Sequence, residues 1–294
     1  MTRKPTVSVI VTNYNYANYV AAAIESALNQ TCPPDELIVV DDGSTDNSAE
    51  VIRRYQDRIH VILQKNEGGR AIKNSALSHC HGELVIYLDA DDLLYPTAVE
   101  RVCKEFSPGV AKVQYDLDII DAEGARLGRR FCNFYGNLTP VDVQNCFQRT
   151  GTYLWPVTSG NAYARDFLIR VLPLTLRVPH DGALNTIAPL YGKVVTIAEP
   201  QGQYRVHSRN NSRADDCGKI NPVPDFAARI RIRKLEFDVL REHAARLNKP
   251  LPAVDFLDYE QVFTNYRIMA RKMQREDADD ANRLLIGLLL NGVW

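Results

Sequence analysis

No stretch of this 294-residue chain has the length of continuous apolar sequence needed to cross a bilayer. None of its six cysteines, Cys32, Cys80, Cys103, Cys132, Cys146 and Cys217, forms a C-x-x-C pair. That scatter suggests neither a zinc site nor a disulfide framework, and reduced cytosolic thiols fit it best. Net charge is equally scarce: 35 Lys and Arg against 36 Asp and Glu leave -1. A balance of that kind gives no overall reason to expect nucleic acid as a partner. The paired glycines Gly68-Gly69 complete neither a G-x-G-x-x-G nor a P-loop, which counts against a dinucleotide oxidoreductase or an NTPase. Met1 to Pro5 leads straight into a strand without an apolar stretch and a small-residue cleavage site, so no secretory signal is expected. No internal repeat is visible. With 45% hydrophobic residues the composition is that of a globular protein with one sizeable core or two modest ones.

The most informative stretch is Glu83 to Pro96, E-L-V-I-Y-L-D-A-D-D-L-L-Y-P. Leu84 to Leu88 has the length and apolar continuity of a strand buried on both faces, and it ends in Asp89, Asp91 and Asp92. Carboxylates crowded in this way repel one another, so a hard divalent cation or a set of basic groups is expected to neutralise them. Carboxylates on an extended segment leave room for waters and phosphate oxygens, which suits Mg²⁺ or Mn²⁺. The plainer alternative is an acidic turn that caps a helix with Pro96 at its first position.

Other segments fall into the same alternation. Thr6 to Thr12, Glu36 to Val40 and Ile59 to Leu63 read as strands, with helices predicted after each. Val20, Ile24, Ala27 and Leu28 recur at helical spacing until Pro33-Pro34, and Asn66 to Asn74 opens a helix after the paired glycines. Short connections between alternating strands and helices imply a parallel sheet covered on both faces, whose ligands sit at the carboxyl ends of the strands. Thr12 to Tyr14, Asp41-Asp42, Asn66 to Arg70 and Asp89 to Asp92 all fall at that edge. Each alone is a common turn; four together argue for a site.

V-S-V-I-V-T-N-Y-N-Y-A-N-Y-V, S-A-L-N-Q-T, E-L-I-V-V-D-D-G-S-T-D-N-S, N-E-G-G-R-A-I-K-N and Y-L-D-A-D-D, in that order, resemble a family-2 inverting glycosyltransferase of the GT-A fold. The likeness is dense over residues 6 to 100 and thinner to about 213. It implies a Rossmann-like α/β domain with a mostly parallel central sheet, and a nucleotide-diphosphate-sugar donor, a UDP-sugar in the first place. It also places the donor base near Thr12, Tyr14 and Asp42, with Asp42 on the pyrimidine edge. Lys73 stands where the family often has Arg, a cation without the bidentate fork. Asp89 and Asp91 match the D-x-D positions, for ribose and metal respectively. Tyr204-Arg205-Val206-His207 matches a Y-R-x-H ending, which implies that His207 approaches the metal or the diphosphate.

The later chain is less regular. Val110 to Asp116 and Gly192 to Ala198 read as strands. Phe131, Phe134, Tyr135 and Phe147 read as core before ligand contact, since cores absorb much aromatic area. Tyr153 to Arg165 resembles the family's segment beneath the acceptor, making Trp155, Gly160 and Asn161 candidates to touch a saccharide or lipid-linked saccharide. Pro179-His180-Asp181-Gly182 sits where the family has a Glu-Asp pair. His180 replaces the Glu, the Arg usual in the following turn is absent, and Asp181 stays aligned with the catalytic base. The plainer alternative for Asp181 is a helix cap.

From Pro224 the pattern turns helical: Phe226, Ile230, Phe237, Leu240, Ala244 and Leu247 trace one face, and Tyr259, Val262, Phe263, Tyr266, Met269 and Met273 another. Leu284 to Leu290 is strongly apolar beside Arg283 and Trp294. Residues 1–104 are thus expected to form a donor-binding half, 105–218 an acceptor-binding half, and 219–294 a C-terminal helical extension. That extension is expected to pack on the core, form a homodimer or lie on a membrane, with protein burial favoured. The expected setting is cytoplasmic, including the inner face of the membrane. The expected product is a polysaccharide or glycoconjugate. Two competing functions are a sugar nucleotidyltransferase, against which the N-Y-N-Y after the first strand speaks, and a catalytically silent nucleotide-sugar binder.

Overall fold

The computed structural model describes residues 3–134, 138–174, 178–207, 210 and 226–251, in two compact units. The first comprises Met1–Gln144, Leu154–Leu174 and Tyr191–His207; the second comprises Asn145–Tyr153, Thr175–Leu190 and Ser208–Trp294.

The first unit is built on the predicted alternation. β1 (Val7–Asn13), α1 (Val20–Leu28), β2 (Glu36–Asp41), α2 (Ser48–Arg53), β3 (His60–Leu63), α3 (Gly69–Ser78) and β4 (Leu84–Asp89) follow in order. The strands lie β3-β2-β1-β4, all parallel. Every residue of β1 is buried, which is why its sequence is apolar without alternation. α1 turns Val20, Ala23, Ile24 and Ala27 inward, an i, i+3, i+4, i+7 stripe. Each aliphatic side chain buried this way contributes about 1.5–3 kcal/mol.

Backbone pairing continues one residue past each apolar run. Asn13 is therefore in register with Asp41, and Thr12 with Asp89. This register gathers the polar ends of β1, β2 and β4 side by side.

Beyond β4 the sheet becomes mixed. β5 (Leu93–Leu94), α4 (Ala98–Glu105), β6 (Val110–Ile120), β7 (Arg126–Arg130), α5 (Pro140–Thr150), β8 (Asn161–Ala164), α6 (Arg165–Val171), α7 (His180–Tyr191), β9 (Lys193–Arg205) and α8 (Phe226–Arg246) complete the described elements. β8 lies antiparallel between β4 and β6, β9 runs parallel to β6, and β5 pairs antiparallel with β9. The predicted strands at 110–116 and 192–198 are the starts of β6 and β9. The register shifts around Asp116, where Pro200 is accommodated, and both strands then run on to Ile120 and Arg205. β5 explains why α4 begins at Ala98 rather than Pro96. Gly202 makes this pairing possible, since a Cβ there would lie 2.6 Å from the Leu93 carbonyl oxygen. The consequence is functional: β5 and β9 carry the Tyr204–His207 segment alongside the carboxylates that end β4.

Phe134 and Phe147 are buried, and Phe131 packs edge-on against Tyr204 with ring centroids 5.2 Å apart. Tyr135 lies outside the described residues. Cys32, Cys80, Cys103, Cys132 and Cys146 are free thiols. In the second unit, α8 buries Phe237, Leu240 and Ala244 along the predicted face. The second predicted face, Tyr259 to Met273, and the apolar Leu284 to Leu290 lie outside the described residues. Among the described residues no helix is long and apolar enough to cross a membrane.

Candidate active site

At the ends of β1 and β2 the sequence N-Y-N-Y folds against D-D-G-S-T-D by side-chain capping. The Asn13 amide donates to Asp41 Oδ2 (2.7 Å), and Ser44 donates to the same carboxylate through its hydroxyl (2.6 Å) and its main-chain N–H (2.9 Å). Asn15 adopts a left-handed φ of 59°, which asparagine tolerates, and its Oδ1 accepts from the N–H of Thr45 at 2.7 Å. Asp41, Asn13 and Asn15 therefore shape the cradle. Tyr14 stands out from it, 45% exposed, with its ring available to a flat ligand.

Asp42 is buried. Its Oδ1 accepts from Gln64 Nε2 (2.7 Å) and from the Glu67 N–H (3.0 Å), and its Oδ2 accepts from the Gly68 N–H (2.8 Å). A carboxylate offers about four lone-pair directions, so these donors leave little capacity for a base. Sequence reasoning missed Gln64, which carried no motif signal. The neighbouring Gly43 is required by geometry: φ is 72° and a Cβ would stand 2.6 Å from the Asn66 nitrogen. Lys73, on α3, is also buried, and its ammonium donates to Thr158 Oγ1 at 2.9 Å while lying over the Tyr87 ring.

The acidic end of β4 has three distinct environments. Asp89 accepts from Thr12 Oγ1 (3.1 Å), and its N–H donates to Ser159 Oγ (3.1 Å). Asp91 Oδ2 lies 3.1 Å from His207 Nε2, with both side chains nearly buried. Asp92 accepts the Arg205 N–H at 2.9 Å. Burial, with Asp91 and Asp89 alongside, pushes the Asp92 carboxyl well above the usual carboxylate range.

Arg205 holds the backbone of this corner. Its Nε donates to the Asp91 carbonyl (2.9 Å), another guanidinium nitrogen donates to the Asp121 and Ala122 carbonyls, and the plane lies over Tyr19 at 4.8 Å. His207 is walled by Tyr16 and Tyr19, with ring centroids at 5.6 and 5.0 Å.

Among the described residues, no three His, Cys, Asp or Glu side chains are gathered so as to enclose an ion. A hard cation that keeps its waters and shares phosphate oxygens needs only one or two carboxylates from the protein. Asp91, with His207 in reach and two more carboxyl groups beside it, fits that requirement.

The acceptor candidates divide. Trp155 is half-buried, whereas Gly160 and Asn161 are fully buried. A Cβ on Gly160 would stand 2.6 Å from Pro156, and the Asn161 amide donates to the Val157 carbonyl at 2.6 Å. They close the turn that presents Thr158 to Lys73 and Ser159 to Asp89. Thr12, Lys73, Asp89, Asp91 and His207 are thus linked within the first unit. Asp181 lies in the second, in the first turn of α7, partly exposed beside buried His180.

Residues 8–176 match the family model described as glycosyl transferase family 2. An uncharacterized glycosyltransferase of Nostoc sp. is 37% identical over 214 residues, covering 70% of this chain and 66% of that protein. The chondroitin synthase of Escherichia coli is 38% identical over 166 residues, 54% of this chain but 24% of the synthase. The chain thus spans two thirds or less of the curated relatives it matches. Among solved structures, S. aureus TarS 1-349 in complex with UDP-GlcNAc aligns over 90% of this chain and 79% of its own with a TM-score of 0.56. At 16% identity that likeness speaks for the GT-A fold alone.

Proposed function

The chain belongs to glycosyl transferase family 2, and on that premise we propose that it is an inverting, metal-dependent transferase. It moves a sugar from a nucleotide-diphosphate sugar, a UDP-sugar in the first place, to a hydroxyl of a saccharide or lipid-linked saccharide. The observation that carries this reading is the meeting of Asp91 and His207 at the carboxyl end of β4, 3.1 Å apart among further carboxyl groups. Carboxyl groups crowded in this way favour a cation that shares the oxygens of a diphosphate. The relationship to chondroitin synthase favours polysaccharide or glycoconjugate assembly as the setting.

In this proposal Asp91 and His207 would hold Mg²⁺ or Mn²⁺, which would supply neutralisation of the charge on the departing diphosphate. Thr12 and Asp89 orient the ribose, and Tyr14 offers its exposed ring to the base. Asp42 acts on the base edge through the 64–68 loop that it fastens, with Gln64 the side chain a base would displace. Lys73 braces the floor beneath the diphosphate through Thr158. Trp155 faces the acceptor, on a turn set by Gly160 and Asn161. Asp181 takes the proton of the acceptor hydroxyl as that oxygen attacks the anomeric carbon in line.

Residues 1–104 then serve the donor, 105–218 the acceptor, and 219–294 form the helical extension. That extension is proposed to bury against protein, as a core element or in a homodimer, with membrane contact as the competing role. The free thiols suit a cytoplasmic setting.

Incubation with UDP-glucose, UDP-galactose, UDP-N-acetylglucosamine and GDP-mannose, with Mn²⁺ or EDTA, tests the reading through release of the nucleoside diphosphate. Release from a UDP-sugar only with metal is expected. Binding of UDP without turnover of any donor would make the protein a nucleotide-sugar binder. Pyrophosphate formed from UTP and a sugar 1-phosphate would make it a nucleotidyltransferase.

A further inference from the structure

The chain departs from its family at the base, where His180 replaces a Glu and no Arg follows in the next turn. The second unit places an acid and an arginine there from another helix. Glu236, on α8, packs against Gly182, the residue after Asp181: a Cβ at 182 would overlap Glu236 Oε1 and stand 2.5 Å from its carboxyl carbon. Arg233 forms an ion pair with Glu236 one turn earlier on α8, and the two side chains are only 7% and 4% exposed. At the far end of α7, Lys249 donates to the Leu190 carbonyl at 2.6 Å. A carboxylate at the first turn and an ammonium at the last carbonyls both complement the dipole of α7.

Stability alone does not explain the pair. Removing two charges from water costs about what their attraction returns, and apolar replacements of similar volume are often neutral. Position is the better explanation. The first turn of a helix carries N–H groups without intrahelical partners, and an aspartate there tends to fold back onto them.

We propose that Glu236, anchored by Arg233, is a positioning residue that stands in for the missing acid beside the base. Its carboxylate answers the first turn of α7, so that Asp181 remains turned to the acceptor. The inference rests on Asp181 being the base. Among the described residues, charged and titratable groups near that turn include His180 on α7, Arg233 and Glu236 on α8, and Tyr153, whose hydroxyl donates to the Asn185 carbonyl at 2.7 Å.

The test uses the full chain and the nucleotide sugar turned over fastest in the donor panel. Glu236→Gln should lower kcat about tenfold or more, a share of what a general base supplies. It should leave the donor KM unchanged. Glu236→Asp should recover part of the loss. Gly182→Ala, which displaces Glu236 without changing any charge, should also lower kcat. The double substitution Arg233→Met with Glu236→Leu separates position from packing: it should keep the melting temperature but lose transfer. Wild-type kcat in that folded double variant would overturn the inference. Asp181→Asn run alongside tells the two failures apart. Transfer retained by Asp181→Asn defeats the assignment of the base. Transfer lost in Asp181→Asn but normal in every Glu236 variant defeats only the role of Glu236.

Discussion

Asp91→Asn is the substitution that asks most of the proposed site. It is nearly isosteric, keeps the Asp91 carbonyl that accepts from Arg205 Nε at 2.9 Å, and removes a carboxylate 3.1 Å from His207 Nε2. Two effects oppose each other in the unliganded protein. A hydrogen bond to a charged group is worth roughly 1.5–3 kcal/mol, and it weakens. At the same time one of the negative neighbours that disfavour ionisation of Asp92 disappears. The melting temperature without ligand should therefore change little. The liganded protein should respond differently. A ligand present at about a hundred times its Kd stabilises the folded state by about 2.7 kcal/mol, which for a chain of this size is roughly 5 °C in melting temperature. Wild type is expected to gain that much from UDP with Mn²⁺ over UDP with EDTA, and Asp91→Asn to gain none. Metal-dependent donor turnover should fall by about 10²–10³ or more, the size of effect seen when one preorganised contact to developing charge is lost. Thermal melts and calorimetric titration of UDP, each with and without Mn²⁺, read both quantities. A variant with the wild-type Mn²⁺ response would refute the placement of the cation at Asp91.

Gly43→Ala should destabilise the protein by roughly 1–3 kcal/mol, because the residue needs a positive φ that alanine resists, and should weaken UDP binding by disturbing the loop that Asp42 fastens; denaturant melts and calorimetry read the two effects. Glu36 supplies an acid-sensitive contribution to stability. Burial works to raise its carboxyl, but the Ser8 hydroxyl and the N–H and ring of His81 outweigh it and hold the group below its ordinary value. A depressed folded value means stability present above the ordinary carboxylate range and lost as pH falls through the folded value. Glu36→Gln should thus lower the melting temperature at pH 6, with the difference closing below about pH 4; a constant gap down to pH 2.5 would contradict this. Deleting residues 283–294 should change the oligomeric mass by light scattering or lower solubility, whereas loss of liposome binding at unchanged mass would favour a membrane role.

The parallel half of the sheet was legible because β1, β2 and β4 are buried on both faces and therefore apolar throughout. The half beyond β4 was less so. β7 is Arg126–Arg130, exposed at every position, and nothing in R-L-G-R-R marks a strand. β5 has two residues and exists only because Gly202 lets β9 approach the Leu93 carbonyl. Such strands are fixed by their partners, not by their own sequence. Where apolar runs ended, the expected strands ended too, yet pairing runs on through Asn13, Asp41 and Asp89. That extra residue per strand is what brings the polar ends into register.

The same limit applies to the site, with a sharper consequence. The roles expected of Thr12, Tyr14, Asp89, Asp91 and His207 rest on the motif positions they occupy, the first four close to predicted strand ends. The contacts within the site could not be named in this way, since Gln64 reaches Asp42, Thr158 reaches Lys73, Ser159 reaches Asp89 and Arg205 reaches the Asp91 carbonyl across gaps of tens of residues or more in sequence. Asp42 shows what this does to a motif reading: the motif points to a base edge, and the structure fills most of its capacity with Gln64 and two backbone N–H groups. The His180-Asp181 pair shows the converse. By sequence it looked like a site that had lost its supporting acid and arginine. Glu236, some fifty residues on, packs against Gly182 in the first turn of α7 and is paired with Arg233, and Gly182 is small because Glu236 is there. A local departure from a family pattern is therefore weak evidence for lost activity until the residues packed against it are known.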